Sequence, residues 1–166
     1  MEYSTDKLKR RNCGDCNMCC KLPEINFKEL KKKSFEWCKH CEIGVGCKIY
    51  DTRPKGCRKF YCFWQEGFSE LKPNKVGFFI FAETFKEYQL SKEEFLKNKI
   101  LTIYAEPQRV DKIPQLLMKD KHIYNLIDQG WAFHIRFSND DKEIYIFDLK
   151  EYGMELKKIT GIIRKD

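Results

Sequence analysis

The chain has 166 residues, 42% of them hydrophobic and 14% aromatic, which is enough to bury the core of one compact domain. Its start, MEYSTDKLKRR, has no apolar h-region, and no apolar run approaches the ~20 residues that cross a bilayer, so the expectation is a cytoplasmic protein with no membrane partner. The net charge of +7 sits wholly in residues 1–75, with 17 Lys+Arg against 10 Asp+Glu, whereas residues 76–166 hold 15 of each. No nucleophile elbow, phosphate-cradling glycine loop or HExxH helix is present, so no catalytic set declares itself.

Residues 1–12 are polar and basic and read as a mobile arm. Nine cysteines follow: Cys13, Cys16, Cys19, Cys20, Cys38, Cys41, Cys47, Cys57 and Cys62, with none in the remaining 104 positions. In a reducing compartment an odd, clustered set of thiols reads as metal ligands or redox groups before disulfides. CGDCNMCC gives the CxxC spacing that lets Cys13 and Cys16 face one tetrahedral ion, with Gly14 permitting the turn. Cys19 extends it to CxxCxxC, the run that presents three corners to an iron–sulfur centre. Neighbouring side chains tend to diverge, so the adjacent Cys19 and Cys20 are expected to serve different sites, or one of them to stay free. WCKHC repeats the CxxC spacing at Cys38 and Cys41, and Cys47, Cys57 and Cys62 complete the candidates.

The asymmetries in thiols and charge divide the chain into a Cys-rich metal-binding lobe, 1–75, and an α+β lobe, 76–166, forming one unit. Four thiolates around a divalent zinc carry −2, as does an oxidised 4Fe-4S centre with four thiolates. The basic excess is therefore read as compensation for buried thiolates, and nucleic acid is set last among possible partners.

Within the first lobe, Asn26 and Glu29 have capping-box spacing and predict a short helix over 27–33, its KKK end suiting a helix C-terminus. Residues 37–62 show no sustained period and are punctuated by Gly44, Gly46, Pro54 and Gly56, a loop-rich stretch that needs a staple. In the second lobe the expected elements are a buried strand over 76–82, a helix over 91–98, a strand over 100–105 and a helix over 114–128 stopped by Gly130. A hairpin of 131–137 with 143–149 around SNDDK follows, then a last strand within 152–163. Asp140, Asp141 and Glu143 in that turn read as solvated carboxylates. The fold class is α+β: an irregular metal-stapled lobe packed on a small, mostly antiparallel sheet with two longer helices.

CxxCxxCC at 13–20 and CKIYDTRPKGCRKFYC at 47–62 together resemble the YkgJ-like cysteine-cluster family, described as zinc- or iron-chelating. The RPxxCR segment is also similar to one in flagellin lysine methylases. The family resemblance implies zinc or an iron–sulfur cluster, at one or two sites, held by Cys13, Cys16, Cys19, Cys20, Cys38, Cys47, Cys57 and Cys62. The family usually has an apolar residue where Cys41 stands, which leaves Cys41 as the candidate spare. Arg53 and Arg58 flank the ligands and read as hydrogen-bond donors to thiolates or as surface ion-pair partners. His40, inside WCKHC, is a further possible ligand. Zinc stands slightly ahead of iron–sulfur, since closed tetrathiolate zinc is the usual structural site for paired CxxC. The expected function is metal binding. The alternatives are a metal- or cluster-dependent enzyme or electron-transfer component acting on a protein partner, and a metal chaperone or sensor using Cys20 or Cys41 as an exchangeable thiol.

Overall fold

Phe78-Phe79-Ile80-Phe81 is apolar at every position, which a strand tolerates only when both faces of its sheet are covered. The computed structural model describes residues 10–82, 100–138, 144–147 and 157–159, and shows that arrangement. Five strands, β5 (Phe78–Phe81), β6 (Ile100–Ala105), β7 (Ala132–Arg136), β8 (Ile144–Phe147) and β9 (Lys157–Ile159), lie side by side in chain order. Every pairing is antiparallel except β6 with β7, which is parallel. A parallel neighbour requires a crossover, and two helices supply it: α4 (Ile113–Lys119) and α5 (Lys121–Asp128), entered through a 3₁₀ segment at Pro107–Lys112.

The two-residue period of the strands sorts their side chains. Phe78, Ile80, Leu101, Ile103 and Phe133 share one core with Ile113, Leu117, Ile123 and Ile127 of the helices. The alternate positions, Phe79 and Tyr104, pack with Met18, Leu22 and Cys62 of the cysteine lobe. The sheet is thus sandwiched between its crossover helices and the thiol-bearing loops. Aromatic rings make the second seam: Phe60 meets Phe79 edge-on at 5.4 Å, and Phe79 stacks on Tyr104 at 5.7 Å, each pair adding roughly 0.5–1.5 kcal/mol beyond the area it buries. A Lys21–Glu106 ion pair of 2.6 Å also crosses from lobe to sheet.

The expected α+β class is the observed one, and several elements differ in detail. Residues 27–33 form no helix. Ile25–Asn26 (β1) pairs antiparallel with Lys31–Lys32 (β2) around a tight turn, which lets Ile25 and Leu30 enter one apolar cluster with Cys38. The Lys32 ammonium fixes that turn by donating to the carbonyls of Lys21 and Lys33, both at 2.9 Å, and of Pro23. The long helix over 114–128 is two helices. Asp120, 3% exposed, breaks it by capping α5: Oδ1 accepts from the backbone N–H of His122 and Ile123, and Oδ2 accepts from Ser69 Oγ and the Glu70 N–H, both at 2.7 Å. Strand β5 starts two residues later than expected because Pro73–Val76 (α3) is helical. The helix expected over 91–98 and the carboxylates Asp140, Asp141 and Glu143 lie outside the described residues.

Arg11, within the expected arm, is tied down: its N–H donates to Gln65 O at 2.9 Å and its guanidinium to Ser69 O at 2.8 Å and Glu70 Oε1 at 2.5 Å. Among the described residues, no helix is long and apolar enough to cross a membrane.

Candidate metal centre

Short elements place the thiols. Gly14 adopts φ 54°, and the turn it makes lets the Cys16 N–H donate to Cys13 O at 2.9 Å. A 3₁₀ turn at Met18–Cys20 then buries Met18 and reverses the chain. The Cys38 N–H donates to Cys20 O at 2.8 Å, tying WCKHC to the end of CxxCxxCC. A small hairpin follows, β3 (Cys41–Glu42) with β4 (Gly46–Cys47), whose register sets Cys41 directly opposite Cys47. Cys57 lies on α1 (Lys55–Lys59), and Cys62 immediately precedes α2 (Phe63–Glu66).

Gly56 is the close-packed residue of this region. A Cβ at that position would stand 1.9 Å from Phe27 Cζ, so the Phe27 ring lies flat against the α1 backbone next to Cys57. Phe27 in turn packs on the cluster containing Ile25, Leu30 and Cys38.

All nine cysteines are unbridged in the structure. They gather from five stretches of chain. Cys20, Cys41 and Cys57 pack against the cluster of Ile25, Leu30 and buried Cys38, and Cys19 and Cys41 both lie next to Cys20. Cys41, the candidate spare, is therefore in contact with the expected ligands. Cys16 packs in a separate cluster with buried Cys62, Met18 and Leu22.

Burial and the proximity of other thiols raise the pKa of Cys13, Cys20, Cys41, Cys47, Cys57 and Cys62. Burial, followed by the field of Cys20, pushes Cys41 up to about 12. Burial pushes Cys62 up to about 11, with Cys16 and Cys13 adding to it. Cys20 is raised by its hydrogen bond with Cys19 and then by burial. Cys13, Cys47 and Cys57 are raised chiefly by burial, and at each of them Arg53 pulls in the opposite direction.

Arg53 is therefore close to Cys13, Cys47 and Cys57. Its guanidinium stacks on Tyr50 at 3.7 Å, and its Nε is buried with no hydrogen-bond partner. Arg58 is exposed on α1. Sequence reasoning missed two other cations. Lys32 lies half-buried beside Cys38, Cys20 and Cys19, and burial lowers its pKa. Lys72 lies near Cys13 and Cys16 and pairs with Asp15 at 2.6 Å. Their only sequence signal was the basic excess itself. His40 O accepts from the Lys48 N–H at 2.8 Å.

Among the described residues, no group of three or more His, Cys, Asp or Glu side chains stands at metal-holding geometry. The donor set nonetheless has the chemistry of a soft-metal site, with thiols from separate segments, cations facing them, and a buried guanidinium donor whose missing acceptor a thiolate would supply. Comparison with protein-family models, curated proteins and solved structures found no match to this chain.

Proposed function

We propose that this protein binds a soft metal, zinc or the iron of an iron–sulfur centre, through the thiolates of its N-terminal lobe. The observation that carries the reading is the convergence of Cys19, Cys20, Cys38, Cys41, Cys47 and Cys57 from four stretches of chain into one neighbourhood faced by Lys32 and Arg53. Burial and neighbouring thiols raise the pKa of Cys20, Cys41, Cys47 and Cys57, and a divalent ion or a cluster would reverse that by taking the thiolates as ligands. The resemblance of CxxCxxCC and RPxxCR to the YkgJ-like family supports the same conclusion. When bound, the metal would cross-link loops that hold few regular hydrogen bonds of their own. The lobe's role would be to present that centre against the sheet.

Elemental analysis and the ultraviolet-visible spectrum of anaerobically purified protein test the proposal and separate its two forms. A colourless protein with stoichiometric zinc supports the zinc form, and a brown protein absorbing near 400 nm with matching iron and sulfide supports the cluster. Protein that purifies folded, reduced and without metal, and takes up none on reconstitution, overturns it.

A further inference from the structure

We propose that the nine thiols form two separate metal sites of unequal completeness: a three-thiol site of Cys13, Cys16 and Cys62 with an open fourth position, and a thiol-saturated site drawn from the other six. This inference rests on the metal-binding reading above and adds which thiols act together and what each site can do.

The division is made by the 3₁₀ turn at Met18–Cys20. Cys16, before the turn, packs with Cys62, Met18 and Leu22 under the aromatic seam of the sheet. Cys20, at its end, packs with Cys38, Cys41 and Cys57 beneath Ile25 and Leu30. The buried Met18 side chain belongs to the first cluster. The backbone enforces the same grouping. The Cys16 N–H to Cys13 O bond folds the first CxxC on itself, while the Cys38 N–H to Cys20 O bond and the Cys41–Cys47 register hold the second set. Electrostatic contacts agree: Cys62 is reached by Cys16 and Cys13, whereas Cys57 is reached by Cys20, Cys38 and Cys47. Each set also has its own lysine, Lys72 for the first and Lys32 for the second. Arg53 is shared, and Cys13 also feels Cys20, so the two sites are neighbours across one guanidinium.

Three thiolates leave a tetrahedral ion one position short, whereas six thiols exceed the four that a closed site needs. The Cys13–Cys16–Cys62 site would accept water or a donor from an incoming molecule at its fourth position. The other site would have no vacancy and would serve the fold. Zinc at the first site would accordingly be bound more weakly and exchange faster.

The test titrates reduced full-length protein with Zn²⁺ against a chromophoric chelator, with Co²⁺ as the spectroscopic probe. Wild type is expected to take two equivalents, at least tenfold apart in affinity. Cys13→Ser and Cys62→Ser should each lose the weaker equivalent and keep the tighter one, and the quadruple variant Cys38→Ser/Cys41→Ser/Cys47→Ser/Cys57→Ser, which strips the second site below the four thiols a closed site needs, should do the reverse. Cys13 is only half-buried, so its serine variant guards against the folding defect that the buried Cys62 position could introduce. A wild type that binds a single equivalent, or two that are both lost in Cys13→Ser, overturns the division while leaving metal binding intact. A wild type that binds none overturns both readings.

Discussion

Gly56→Ala gives the sharpest probe of how the loops of the thiol lobe are packed. Within α1 an alanine would normally stabilise by roughly 0.5–1 kcal/mol, because glycine gives up more backbone freedom on folding. Here the new Cβ would lie 1.9 Å from Phe27 Cζ and 2.4–2.5 Å from both Cε atoms, far inside contact distance, so the ring must leave its place against the cluster of Ile25, Leu30 and Cys38. Overpacking of this kind costs about 1–3 kcal/mol, so the net expectation is a loss of about 1–2 kcal/mol. In a Phe27→Ala background the obstruction is gone, and the same substitution should be neutral or stabilising by up to ~1 kcal/mol. Urea unfolding of the four proteins, matched for metal content, closes the cycle. A coupling near zero, or a Gly56→Ala protein as stable as wild type, would refute the packing of Phe27 on α1.

Other expectations follow from particular groups. Asp120→Ala removes a cap and two further hydrogen bonds to a carboxylate, and should cost about 3–4 kcal/mol by denaturant melts, with Asp120→Asn retaining part of it. Cys62 has its pKa raised from 9.0 to about 11, so the folded metal-free protein holds this proton more tightly than the unfolded chain. The stability it contributes is present below pH 9 and lost as pH rises to 11, about 3 kcal/mol in all, and unfolding of chelator-treated protein should show that part of the decline vanish in Cys62→Ala. A decline unaltered in that variant would contradict the assignment. Arg53→Gln should weaken metal affinity by roughly 10–100-fold, whereas Arg58→Gln should leave it within about twofold, read by chelator competition.

What the sequence made legible was local. CxxC spacing, Gly14 at a positive φ and the continuous apolar run of β5 each follow from chain geometry within a few residues, and the strand over 100–105 is found at the expected bounds. The misread helix over 27–33 shows the limit. Asn26 and Glu29 satisfy a capping-box spacing, yet Ile25 and Leu30 both reach the Cys38 cluster only through a reversed chain, which also places the Lys32 ammonium on the carbonyls of Lys21, Pro23 and Lys33. The break at Asp120 was read through, because its capping of His122 and Ile123 is local but the Ser69 and Glu70 bonds that fix its second carboxylate oxygen come from about 50 residues away. At the candidate site the spacing showed which residues carry thiols but not how they group. Grouping depends on where Met18 turns the chain and on Cys62 being carried under the sheet by the segment before α2. Lys32 and Lys72 could be anticipated only as part of a basic excess, since no spacing rule relates them to the cysteines.

The most direct test of the central claim is metal content measured together with thiol reactivity on one anaerobic preparation. The account expects bound zinc or iron in stoichiometric amount, with most of the nine thiols shielded from a thiol reagent until a chelator is added, and a fall in melting temperature on chelation. Nine thiols reacting at once, with no metal present and a melting temperature indifferent to chelator, would contradict it.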